Sequence, residues 1–244
     1  MRAKTLGILG GLGPAASVYF YHIITSHTKA EKDQDHLNIV LISGADIPDR
    51  SEFILGKSDR SPLPLMKEDV LKLASVGADL IAIPCNTAHY FFDELSAVSP
   101  VPVLNIVRET VALAKKSGAK KLGILATTGT IAARAYQEAC HEAGLSFEIP
   151  DERAQAALMD IIYGDIKKAE APDMPRFLAI ADDLMARFCD AIVLGCTELS
   201  LIAESEDLAD YPFIDSLLVL AARSILACGK TPCGFPEIYT YMDT

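Results

Sequence analysis

Two cysteines, Cys85 and Cys196, stand in matching surroundings. Asp79-Leu80-Ile81-Ala82-Ile83-Pro84 runs into Cys85-Asn86-Thr87-Ala88-His89, and Asp190-Ala191-Ile192-Val193-Leu194-Gly195 runs into Cys196-Thr197-Glu198-Leu199. Each apolar run reads as a buried parallel strand, and the small polar residues after each Cys can open a helix. A thiol at such a junction faces free N–H groups and the positive end of the helix dipole, which favour the thiolate. Moving a thiol pKa from about 8.5 to about 7 takes roughly 2 kcal/mol, near the upper limit for a partly buried helix terminus. The sequence therefore predicts two thiols usable near neutral pH. Placed on opposite sides of one carbon, such a pair can take a proton from one face and return one to the other.

The surrounding elements have to bring the two together. Leu6–Leu9 reads as a strand, Gly10-Gly11-Leu12-Gly13-Pro14 as a tight turn, and Pro14 as the first residue of a helix running to about Lys29. Leu37 to Ser43 reads as a buried strand, and a helix from Pro62 closes at Gly77. The Cys85 strand and its helix follow, then a short strand over Val101–Leu104 and a helix from Val107 to Ser117. There the pattern restarts. Lys4-Thr5-Leu6-Gly7-Ile8-Leu9 is echoed by Lys120-Lys121-Leu122-Gly123-Ile124-Leu125, an offset of 122 − 6 = 116, while the two cysteines are offset by 196 − 85 = 111. Nearly equal offsets indicate a duplicated α/β half. The second half continues with a helix to Gly144, a weak strand near Phe147, helices over about 151–169 and 175–188, the Cys196 strand, a last strand at 212–214 and a helix over 216–227.

Repeated β-α units imply right-handed crossovers, parallel sheets and ligands at the carboxyl ends of the strands. The expected fold is α/β, with two similar halves carrying parallel four-stranded sheets, related by a pseudo-twofold, and an active site in the cleft between them. The expected division is 1–104 plus 213–244 for the first half and 105–212 for the second.

A formal net charge of -11 argues against nucleic acid and anionic membrane surfaces as partners. No apolar run reaches transmembrane length, and the stretch after Arg2 and Lys4 is too short and too broken by Gly and Pro14 for a signal peptide. The six Cys sit at no metal or redox spacing, so reduced thiols in a cytoplasm are expected. No His/Asp/Glu metal spacing and no Lys context for pyridoxal phosphate stands out, and no cofactor is expected.

Gly11-Leu12-Gly13-Pro14-Ala15-Ala16 fits a loose dinucleotide fingerprint, with Asp46 as a ribose acid, and supports a rival reading as a nicotinamide-dependent oxidoreductase. The cognate turn Ala126-Thr127-Thr128-Gly129-Thr130 lacks the glycines. The plainer reading is a turn whose N–H groups, at Gly11 and Gly13, face a carboxylate. Asn86, Thr87, Thr127, Thr128 and Thr197 can donate to an anion between the halves, and their positions equally suit helix capping. His89, one turn into its helix, reads as a structural or surface residue rather than a base. Arg50 and the pair Tyr163 and Lys167, one helical turn apart, read as surface residues when taken alone. A third reading is a non-catalytic protein that binds a small carboxylate.

At these residues the chain resembles the aspartate/glutamate racemase family, and most of all its aspartate racemases. Gly7-Ile8-Leu9-Gly10-Gly11-Leu12-Gly13-Pro14, Ile47-Pro48-Asp49-Arg50, Pro84-Cys85-Asn86-Thr87-Ala88-His89 and Leu194-Gly195-Cys196-Thr197-Glu198-Leu199 carry the resemblance. It implies a cofactor-independent isomerase that interconverts L- and D-aspartate, or glutamate, with Cys85 and Cys196 as the two bases. It further implies that Arg50 and Lys167, with Tyr163 nearby, hold the side-chain carboxylate, that Asn86, Thr87, Thr127 and Thr197 hold the α-carboxylate, and that the protein is a homodimer.

Overall fold

The computed structural model describes residues 4–205, 208 and 210–239. The chain begins β1 (Thr5–Gly10), α1 (Pro14–Ser26), β2 (Asn38–Ser43), α2 (Arg50–Ile54), α3 (Leu63–Ser75), β3 (Leu80–Ala82), α4 (Phe92–Val98) and α5 (Ile106–Lys116). It continues with β4 (Lys121–Leu125), α6 (Thr128–Ala132), α7 (Ala135–Ala143), β5 (Ser146–Glu148) and α8 (Glu152–Met159). It ends with α9 (Met174–Ala186), β6 (Ala191–Leu194), α10 (Thr197–Ser205), β7 (Phe213–Asp215) and α11 (Ser216–Ala227).

The strands form two parallel sheets with the same plan. The first runs β2-β1-β3 and the second β5-β4-β6-β7. The echoed segments are the central strands, β1 and β4. The strands that lead to Cys85 and Cys196, β3 and β6, lie beside them in both sheets.

Among the described residues the first sheet has three strands where four were expected. Its fourth position holds a single bridge between Ile81 and Val103. Ile81 N–H donates to Pro102 O at 2.9 Å and Leu104 N–H to Ile81 O at 2.8 Å. Pro100 and Pro102 bring no N–H to this stretch, so a ladder cannot extend along it. Strand β2, expected to be buried, is an edge strand whose side chains are partly exposed, because only β1 covers its flank. Residues 213–215, expected in the first half, pair with β6 as the last strand of the second sheet.

Helix α11 packs against α5 and α1. With β1 and β4 these helices share one apolar core, which includes Phe20, Val111, Leu122 and Leu220. Two smaller cores lie on the outer faces, one built on Met66, Val70 and Ile81, the other on Phe177, Leu184 and Ile192. The halves are thus joined through a common interior, and the carboxyl ends of their central strands share one opening. Among the described residues no helix is long and apolar enough to cross a membrane.

Candidate active site

Cys85 follows β3 and opens a 3-10 turn over Thr87–Phe91, one short of an α-helix, while Cys196 directly precedes α10. His89 locks the first of these turns. Its Nδ1–H donates to Cys85 O at 2.9 Å, and its Nε2 accepts from Ile106 N–H at 3.2 Å. Those bonds fix the neutral tautomer, and burial holds the ring below its ordinary pKa. His89 is structural.

The two Cys turns are tied to each other. Tyr136 Oη–H donates to Asn86 Oδ1 at 2.7 Å, and Asn86 Nδ2 donates to Ser216 Oγ at 2.9 Å. Ser216 Oγ–H then donates to Leu194 O at 2.7 Å, two residues before Cys196. In the other direction Thr197 Oγ1–H reaches Pro84 O, next to Cys85, at 3.4 Å. Each residue that follows a cysteine is therefore connected to the strand end that leads to the other cysteine. The Asn86 side chain is committed to this bracing at both its oxygen and its nitrogen.

A cluster of hydroxyls crosses between the halves. Thr87, Thr127 and Thr130 form a triangle with Oγ1 separations of 3.0, 2.8 and 3.0 Å, and Ser51 Oγ–H donates to Thr127 at 3.3 Å. Thr127 also caps α6 by accepting from Thr130 N–H at 3.1 Å. Capping and cross-half bonding coexist in one side chain.

The charged groups lie at one end of this cluster. Arg50 is buried, with Nη2 donating to Leu12 O at 2.7 Å and Nη1 to Pro48 O at 3.1 Å and Ile47 O at 3.4 Å. Lys167 Nζ stacks on the Tyr163 ring at 3.8 Å and lies 3.8 Å from Asp49 Oδ2 and 4.0 Å from Glu198 Oε1. Tyr163 Oη–H donates to the same Asp49 oxygen at 3.1 Å. Tyr163 sits in a π-helical turn, Asp160–Asp165, and Lys167 in the 3-10 turn that follows it. Such irregular turns re-aim side chains at functional sites. Burial opposes the charge on Lys167, yet Glu198, Tyr163, Cys196 and Asp49 together hold its pKa above the usual lysine value.

Cys196 Sγ–H donates to Glu198 Oε2 at 3.0 Å. Both thiols are buried, and burial pushes both above the ordinary thiol pKa. This overturns the expectation that the helix termini alone would make them acidic: desolvation outweighs the N–H groups that face each sulfur. The neighbours then separate the two thiols. Arg50 pulls Cys85 partly back down, whereas Glu198 pushes Cys196 further up.

The glycine turn serves the second cysteine. A Cβ at Gly13 would stand 2.8 Å from Glu198 Oε1, so glycine leaves room for that carboxylate where a side chain would push it aside. Gly11, at φ +85°, packs its Cα against Gly44 and gives its N–H to Ser17 Oγ at 2.9 Å. A dinucleotide phosphate at this turn would meet Glu198 in place of free N–H groups.

One pocket gathers Cys85, Cys196, Arg50, Asn86, Thr87, Thr127, Tyr163, Lys167 and Thr197 from both halves. Gly11 and Gly13 line an adjoining cavity. Sequence reasoning misses Asp49, Ser51 and Glu198, which line the same pocket, and Thr130, which braces it. Glu198 carries the clearest signal of these, an acid two residues past Cys196 in the first turn of a helix.

The sequence and the fold have known relatives. The model of the Asp/Glu/hydantoin racemase family matches residues 9–223. The chain belongs to this family, and it is an isomerase. Its fold is similar to that of Picrophilus torridus aspartate racemase, with a TM-score of 0.83 and 34% identity over 99% of this chain and 100% of that one. It is 27% identical over 227 residues to the broad specificity amino-acid racemase RacX of Bacillus subtilis, covering 90% of this chain and 96% of RacX. A glutamate racemase of Francisella tularensis in complex with D-glutamate shares the fold, with a TM-score of 0.66 and 17% identity over 100% of this chain and 95% of that one.

Proposed function

We propose that the protein interconverts L- and D-aspartate by moving a proton between Cα and two cysteines on opposite faces. The observation that carries this reading is the unlike pairing of two thiols on one pocket, Arg50 beside Cys85 and the Glu198 carboxylate beside Cys196. A cation favours the thiolate and an anion favours the thiol, so Cys85 is the sulfur that ionises more readily and Cys196 the one that keeps its proton. Cys85 takes the proton from one enantiomer while Cys196 delivers its own to the opposite face, and the roles reverse for the other enantiomer.

The Cα–H of an amino acid is a very weak acid. Charge that moves into the α-carboxylate as the proton leaves needs donors fixed in a dry site. Thr87, Thr127 and Thr197 are assigned to that carboxylate, with Asn86 bracing the two Cys turns behind them. Arg50 and Lys167, with Tyr163, are assigned to the side-chain carboxylate. The 34% identity to an aspartate racemase supports aspartate as substrate. Free space between these side chains is about 10 Å³, roughly one water. Binding an amino acid therefore requires them to part and close again, which excludes water during proton transfer.

The reading carries with it a cytoplasmic homodimer and a division into halves, which sedimentation and limited proteolysis test. The chemistry itself is tested by incubating L-aspartate with the purified protein in deuterated water. D-aspartate carrying Cα deuterium is the expected product. Recovery of fully protonated L-aspartate would defeat the proposal.

A further inference from the structure

Beside the two-thiol pocket lies a cavity of about 430 Å³, within the size range of small-ligand sites. Asp49, Arg50, Lys167 and Glu198 line both spaces and form the boundary between them. That boundary is formally neutral, two cations against two carboxylates, and its cations are already engaged. Lys167 lies within 4.0 Å of both carboxylates, and Arg50 donates to three main-chain carbonyls. A side-chain carboxylate that arrives here competes with Asp49 and Glu198, whereas an uncharged side chain does not. Beyond the boundary the wall is small and apolar, with Ala16, Ala45, Ile47, Ile166 and Leu201.

We propose that the site also racemises neutral amino acids with longer side chains, methionine and leucine among them, with the side chain passing the four charged residues into this cavity. The proposal rests on the racemase reading above and extends its substrate range. The reacting carbon stays between Cys85 and Cys196, and the proton balance is that of aspartate: one proton leaves Cα to one sulfur and one returns from the other. Each methylene moved from water into the cavity improves binding about fourfold, so the preference grows with side-chain length.

The test is Cα deuterium uptake by aspartate, glutamate, alanine, methionine and leucine in separate reactions with the wild-type protein. Methionine and leucine are expected to exchange at least tenfold faster than alanine. Exchange confined to aspartate and glutamate would overturn this proposal and leave the racemase reading standing, whereas no exchange with any of the five would overturn both. Leu201→Trp fills the cavity and is expected to lower the methionine-to-aspartate exchange ratio at least tenfold. Ala45→Phe, on the exposed rim of the same cavity, serves if the first variant does not fold. An unchanged ratio in a folded variant would overturn the placement of the side chain.

Discussion

Cys196 Sγ–H points at Glu198 Oε2 across 3.0 Å, inside a pocket where neither residue is more than 7% exposed. The carboxylate keeps the proton on this sulfur. Glu198→Gln removes the anion and preserves the shape, so the Cys196 pKa falls and its thiolate population rises about tenfold for each pKa step of one. In a Cys85→Ala background, adding Glu198→Gln is expected to speed alkylation of Cys196 by iodoacetamide at pH 8 severalfold. An equal or slower rate would show that the carboxylate does not control the thiol.

The same asymmetry has a kinetic signature. The enantiomers have equal energy in water, so kcat/KM is the same in both directions at every pH. Of the two singly ionised forms, the one with Cys85 ionised and Cys196 protonated is the more populated, since Arg50 lowers the Cys85 pKa and Glu198 raises that of Cys196. The enantiomer that meets this form binds more tightly, and its kcat is lower in proportion. Progress curves from each enantiomer are expected to give KM values that differ severalfold, and Glu198→Gln is expected to narrow the gap.

Gly13→Ala tests the role of the glycine turn. The backbone at Gly13 has φ -105°, which alanine adopts freely, so the fold is retained. The added Cβ would lie 2.8 Å from Glu198 Oε1 and must displace it. Racemisation is expected to drop at least tenfold, with little change in the melting temperature. A dinucleotide site would respond in NAD binding, measured by calorimetry, and no such binding is expected.

These contacts mark where the sequence can be read and where it cannot. The strand–Cys–helix units and the 116-residue echo are visible because local hydrophobic pattern and turn chemistry specify them. The three-stranded first sheet escapes notice because prolines at 100 and 102 look compatible with a short strand until N–H donors are counted. Thiol acidity is misjudged because helix termini are local features, whereas burial is set by how two halves close. Glu198 meets Gly13 and Lys167 only in three dimensions, so their joint action on Cys196 leaves no trace in spacing.

Asp215 makes stability depend on pH. It is buried at the end of β7 and accepts from Ser200 Oγ at 2.7 Å and Leu217 N–H at 2.8 Å through Oδ1, while Oδ2 has no partner among the described residues. Burial pushes its pKa from an ordinary 3.8 to about 6. A carboxyl that is a weaker acid when folded costs nothing below pH 3.8 and opposes folding increasingly up to about pH 6. The full cost is about 3 kcal/mol. Asp215→Asn keeps the cap and removes the charge. Its melting temperature relative to wild type is expected to rise between about pH 4 and about pH 7, as scanning calorimetry would show; a constant difference would contradict the assignment.

Removing the donor that braces the Cys turns should weaken both stability and rate. Tyr136→Phe leaves the buried ring in place and strands Asn86 Oδ1, now bonded at 2.7 Å. A loss of about 1–3 kcal/mol is expected from urea unfolding, together with slower racemisation.

The central claim is that a sulfur from each half acts on one carbon. Its most direct test is Cα deuterium uptake and change of optical rotation for L-aspartate with wild-type, Cys85→Ala and Cys196→Ala proteins. Each single variant is predicted to lose racemisation by at least about a thousandfold while remaining folded. Wild-type rates of racemisation in both variants would contradict the account.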